Sequence, residues 1–279
     1  MIKRLFIVLS ILVLFVVPIV GHAAVSGTNL TSGGNENDPT GQTSFTTGSV
    51  SPTSNNLVLA SFAVRHTATS LSPAVSGCGL TWVQVALVRY DNTSTYRTLA
   101  VFRALGASPT SGALTISFGA NSVTAWTYSI DQFSGIDTSG TNGSGAIVQA
   151  VTNYWNPTSS SPVTVTLSAF GSSTNATYGV FSEHGFVSSI GTGTGFSSLS
   201  SNVTSYASSY YLIQSTEWKN SADTTVDMTL NYTGSEVGGI GIEIKEYVAA
   251  GGAPEVNGVS SSTEINGVTN SVNIDGAGS

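Results

Sequence analysis

Apolar residues in this chain recur every second position, in short runs separated by Gly, Ser, Thr and Asn. Leu114, Ile116 and Phe118 alternate with Thr115 and Ser117. Val226, Met228, Leu230 and Tyr232 alternate with Asp227, Thr229 and Asn231. A period of two is the period of a strand with one face buried, since successive side chains point to opposite faces. Beyond the N-terminal leader no segment shows a helical period. The pattern therefore restricts the chain to an all-β fold.

Eleven segments read as strands: 56–64, 80–90, 96–105, 114–118, 123–133, 146–151, 163–167, 176–182, 209–216, 225–232 and 240–247. The nearly continuous apolar run at 56–64 predicts a strand covered on both faces. Asp91-Asn92-Thr93-Ser94 is turn chemistry and predicts a hairpin between the second and third strands. In 123–133, Trp126, Tyr128 and Ile130 share a face, and Trp82 and Trp126 are expected in the core. Asp131, Asp227 and Glu243 fall at outward positions. The residues before 56 form a polar lead-in with a loop around Gly33-Gly34, and residues 185–206 read as a long loop or irregular edge. The expected fold is one antiparallel β-sandwich or jelly roll of about eleven strands over residues 24–248.

The ends are of another kind. Lys3 and Arg4 precede an apolar run at 5–20, followed by Gly21-His22-Ala23-Ala24. These are the three parts of a secretory signal peptide, with cleavage expected after Ala23. The run is shorter than the roughly 20 residues that span a bilayer. A secreted or cell-surface location follows, with no membrane span after cleavage. Residues 249–254 are a Gly/Ala/Pro linker. Residues 255–279 form a tail of nine-residue repeats, in which Glu255-Val256-Asn257-Gly258-Val259 recurs as Glu264-Ile265-Asn266-Gly267-Val268.

Charge narrows the partners. Only 8% of residues are charged, with eight basic against fifteen acidic, and two of the basic ones lie in the leader. That balance excludes a nucleic-acid partner, whose binding requires clustered Lys and Arg. Cys78 is the single cysteine. It allows no internal disulfide and reads as a small buried residue.

The chain has no Gly-x-Ser-x-Gly elbow, no His-Glu-x-x-His and no phosphate-binding Gly-rich loop. Glu183-His184, at a strand end, has the residue types for acid–base work, but neighbours in a strand face opposite ways. A two-histidine site would join His66 to this pair. Asp131, Glu183, Glu217, Asp227 and Glu243 are the carboxylates from which a glycosidase pair could be drawn. Tyr154 and Trp155, and Glu217 and Trp218, lie in polar settings where an aromatic face could stack on a sugar while nearby polar groups bond its hydroxyls. Asn35, Glu36 and Asp38, together with Asn37, offer oxygen ligands for a structural calcium ion, and Asp137 is a further candidate. No other cofactor is expected.

Three stretches carry a resemblance: Gly79-Leu80-Thr81-Trp82 opening a strand, Val101-Phe102-Arg103-Ala104-Leu105 before a turn, and Gln132-Phe133-Ser134-Gly135-Ile136-Asp137-Thr138 closing a long strand. Their order resembles exported bacterial β-sandwich domains found in surface and adhesin-like proteins and in phage-tail-like proteins. The resemblance covers residues 45–248 and implies a fold and a location, with no catalytic residues to carry over. The functional expectation is a non-catalytic surface module for adhesion or for binding a polysaccharide or cell-surface glycan. The alternatives are a structural stalk or assembly subunit, or an accessory domain of a secreted carbohydrate-active enzyme.

Overall fold

A computed structural model describes residues 22–248, apart from 36–39, 91–94, 157–160, 187–188, 208–209 and 232–234. The cleavage segment through Gly21, the 249–254 linker and the repeat tail lie outside the described residues.

The fold is all-β and antiparallel, as the period of two requires, and it is built twice. The first half runs through β2 (Ser26–Asn35), β3 (Ser44–Val50), β4 (Leu57–His66), β5 (Ala74–Ser76), β6 (Val83–Arg89), β7 (Tyr96–Ala104), β8 (Gly112–Ser117) and β9 (Val123–Ser134). The second runs through β10 (Ile147–Trp155), β11 (Val163–Thr166), β12 (Ala176–Gly185), β13 (Ile190–Gly191), β14 (Ser197–Ala207), β15 (Tyr210–Lys219), β16 (Thr225–Leu230) and β17 (Glu236–Ile244). Two-residue strands β1 (His22–Ala23) and β18 (Tyr247–Val248) flank them.

The first half forms a five-stranded sheet of order β2-β9-β4-β7-β6 and a three-stranded sheet of order β3-β8-β5. The second forms β10-β17-β12-β15-β14 and β11-β16-β13. Adding eight to each strand number of the first half reproduces the second. In each half the chain passes back and forth between its two sheets, which is jelly-roll winding, with β6 and β14 added to the larger sheet.

Aligning the two ten-residue strands β4 and β12 end to end sets residue equivalence, and the ladders carry it to their neighbours. Ala60 pairs with Phe102 and Ile130, while Gly179 pairs with Glu217 and Gly241. Phe62 then corresponds to Phe181, and each ring packs in the core of its own half.

Three cores make four layers. Phe62, Phe102, Leu114, Ile116 and Phe118 fill the first sandwich. Phe181, Val165, Val226 and Met228 fill the second. The third core lies between the two five-stranded sheets, where Leu57, Leu59, Leu99 and Val101 meet Tyr178, Val180, Ile240 and Ile242. Edge β2 packs on edge β14, and β6 packs on β10. These two contacts exchange under the same eight-strand shift, so the halves meet as a pseudo-two-fold pair.

The expected hairpin is β6–β7, and β4 is buried on both faces. Trp126 stacks on Phe45 at 5.0 Å in the first core, and Trp82 packs against that core. Cys78 is buried.

The expectation of eleven strands in one sandwich is corrected by the duplication. The polar lead-in holds β2 and β3, the segment read as a long loop or irregular edge holds β13 and β14, and Gly33 and Gly34 are strand residues. Asp131 and Glu243 are fully buried rather than outward, and Asp227 is half-buried. The five-stranded sheets, which carry Asp131 and Glu243, are covered on both faces, whereas Asp227 sits on the outer face of a three-stranded sheet and keeps its expected side.

Candidate functional site

The expected sugar-stacking residues do not form one site. Trp218 lies opposite Tyr178 in the β12–β15 ladder, and its ring meets Phe133 edge-on at 6.1 Å across the seam between halves. Glu217, its neighbour, faces the interior of the second sandwich and is fully buried. It accepts the Gly193 backbone N–H at 2.7 Å, and burial pushes its carboxyl up to about 8. Both are therefore corrected from exposed loop residues to packed strand residues. Trp155 is half-buried against the second core. Tyr154 is the exception, 58% exposed near the end of β10.

The calcium candidates are not gathered either. Asn35 and Asp137 lie at opposite ends of the β2–β9 ladder. Asp137 is engaged by Lys245 at 2.7 Å and by the Ser139 N–H at 2.8 Å. Burial alone would raise its carboxyl, but these contacts outweigh it and hold it low. Glu36 and Asp38 lie outside the described residues. Among the described residues no group of three or more His, Cys, Asp or Glu side chains could hold a metal ion.

Glu183 and His184 face opposite ways, as strand geometry demands. Glu183 points into the second sandwich. His66 bonds Thr98 at 2.8 Å on the first sandwich's side of its sheet, so the two histidines do not converge.

His184 instead points into the seam and meets the other half. Arg97 Nη2, from β7, donates to His184 Nε2 at 2.9 Å. A guanidinium only donates, so Nε2 must accept and the ring proton sits on Nδ1. That proton faces Glu236 of β17, the register partner of His184. Burial pushes the Glu236 carboxyl up, but the His184 hydrogen bond and the Arg97 charge outweigh it and hold it below the usual range. The equivalent pair in the first half is Arg65 and Ala125, so the duplication does not repeat this cluster.

Aromatic rings cover it. Tyr210 stacks on His184 with centroids 5.5 Å apart and planes 12° apart. Phe186 leans on Tyr210 at 4.5 Å. Phe186 is 51% exposed and Tyr210 38%. Tyr154 lies opposite Gly238, two residues along β17 from Glu236 or about 7 Å. Partly exposed aromatic rings beside an imidazole, a carboxylate and a guanidinium thus line the rim where the two five-stranded sheets end. Sequence reasoning reached Tyr154 and His184 but missed Arg97, Phe186, Tyr210 and Glu236. The available signal was the bulky ring just after His184 and the Tyr210-Tyr211 pair at a strand start.

Compared with known proteins, the chain matches no family model, no curated sequence and no solved structure.

Proposed function

We propose that this chain is an exported, non-catalytic β-sandwich module that binds a polysaccharide or cell-surface glycan at the seam rim. The observation that carries this reading is the exposed Phe186–Tyr210 pair seated on the Arg97–His184–Glu236 cluster. Partly exposed rings beside fixed polar groups suit a pyranose, which has an apolar face and a polar edge. The cluster's polar groups already engage one another, so they hold the geometry beneath the rings, and the half-buried Glu236 carboxylate can accept from sugar hydroxyls. The leader supports export, and the absence of a nucleophile motif supports binding over hydrolysis.

The test is a polysaccharide array probed with the mature chain. Saturable binding is expected, weakened about tenfold or more by Tyr210→Ala or Phe186→Ala, the loss of roughly one stacking contact. Folded protein that binds no glycan, or binds equally well in both variants, overturns the reading.

A further inference from the structure

The duplication provides an internal comparison, and at two positions inside the sandwiches the second half puts a carboxyl where the first has an apolar side chain. Val64 corresponds to Glu183, and Phe102 corresponds to Glu217. The first sandwich fills these places with apolar side chains at 0% and 4% exposure, while the second puts carboxyls there, both at 0%. Among the described residues, Glu183 has the Ser235 hydroxyl beside it as its one polar neighbour, and Oε1 of Glu217 has no hydrogen-bond partner.

We propose that the second sandwich is the proton-dependent half of this molecule: its core stays closed while Glu183 and Glu217 are neutral acids, and it loosens ahead of the first sandwich as they ionise.

The surroundings leave little other relief. Glu183 is flanked by Ile213 and Val237 from its neighbouring strands and by the Ser235 hydroxyl near Gly185. Its titratable neighbours His184 and Glu236 face the seam, on the other side of the sheet. Glu217 receives one N–H from Gly193, but Asp227 of β16 adds like charge. Lys219, the nearest cation on its strand, is paired with Asp223 at 2.7 Å. An ionised carboxylate here would be buried without a counter-charge, which is costly.

The sign follows. Burial raises Glu183 to about 7 and Glu217 to about 8 in the folded chain. The folded state then holds protons that the unfolded state has released, so its stability falls as pH rises. The closed form is fully favoured below the ordinary carboxylate range. It loses ground until the pH passes the raised values and levels off above them.

Hydrogen exchange of the mature full-length chain between pH 5 and 9, corrected for intrinsic exchange, tests this. Opening in residues 163–230 should rise about tenfold per pH unit for each titrating carboxyl and level off above about pH 8. Residues 44–118 should show no such rise, and Glu183→Gln with Glu217→Gln should flatten the response. An equal response of both halves, or an unchanged response in the double variant, overturns the proposal. If the double variant does not fold, carbon-13 carboxyl titration of the unaltered protein decides. Two glutamates with midpoints near 7 and 8 support the proposal, and none displaced from the ordinary range defeats it.

Discussion

The seam between the halves is held by individual polar side chains as well as by apolar area. Asp131 is fully buried and accepts from Asn29 Nδ2 at 2.8 Å, Ser129 Oγ at 3.0 Å and the Tyr178 hydroxyl at 3.0 Å. Gln214 donates to Ser61 at 2.7 Å and accepts the Ala63 N–H at 3.1 Å. Tyr178 and Gln214 belong to the second half and their partners to the first, so these bonds specify how the sheets meet. Burial pushes Asp131 up to about 6 against the pull of these donors. Tyr178→Phe strips a donor from the carboxylate while keeping the ring, and should cost about 1–3 kcal/mol in urea unfolding at pH 7.5. The Asp131 midpoint should rise further in that variant, because a bond favouring the charged form is gone. The deficit should therefore shrink at pH 5, where Asp131 is largely neutral. A cost that is the same at both pH values would show that the hydroxyl does not act through Asp131. Sequence periodicity correctly put Asp131 opposite Ile130. It could not show that a second sheet covers that opposite face.

Among the elements, the strands legible in sequence are those whose inward residues are apolar. In β4 and β8 the pattern announces the strand and its face, and in β9 it announces the face that meets the first core. Two of the missed strands, β2 and β14, bury polarity instead. In β14, Ser200 donates to Ser129 at 2.9 Å and Asn202 donates to the Tyr128 carbonyl at 3.2 Å. In β2, Asn29 serves Asp131. Ser, Asn and Gly in such numbers read as turns, yet here the facing half satisfies them. The rim was half-legible for the same reason, since Arg97 comes from the other half and no local pattern links it to His184. The short strand β13 depends on one glycine. A Cβ on Gly193 would strike the Asp227 carbonyl and sit 2.8 Å from Asp227 Oδ1, while the Gly193 N–H donates to Glu217. Gly193→Ala should push this turn off the sheet at a cost of about 1–3 kcal/mol, as overpacking does. Faster exchange confined to residues 189–196 would locate the damage, whereas unchanged exchange there would mean the turn tolerates the methyl.

At the scale of the whole molecule, the two halves behave as a dimer joined in one chain. Each five-stranded sheet has two apolar faces, one closed by its own small sheet and one closed only by the other half. Separating the halves would expose Leu57, Leu59, Leu99 and Val101 on one side and Tyr178, Val180, Ile240 and Ile242 on the other. At roughly 1.5–3 kcal/mol for each large apolar side chain returned to water, neither exposed face is sustainable alone. The intact chain should therefore unfold in one cooperative transition at pH 6, with tryptophan fluorescence and far-UV circular dichroism coinciding. The first half alone, residues 22–135, should not remain a monomer. The pseudo-two-fold relation offers it a substitute partner, because a second copy can place the same sheet where the second half would lie. That substitute is imperfect: Leu99 stands where Gln214 stands in the second half, so Ser61 and the Ala63 N–H would lose their partners. Size-exclusion chromatography with light scattering should find the 22–135 fragment as dimer or larger. Co-expression with 136–248 should convert it to a one-to-one complex, since only that partner restores the bonds to Asp131 and Ser61. A monodisperse, folded monomer of 22–135 would mean that the central core is not needed to hold the first sandwich together.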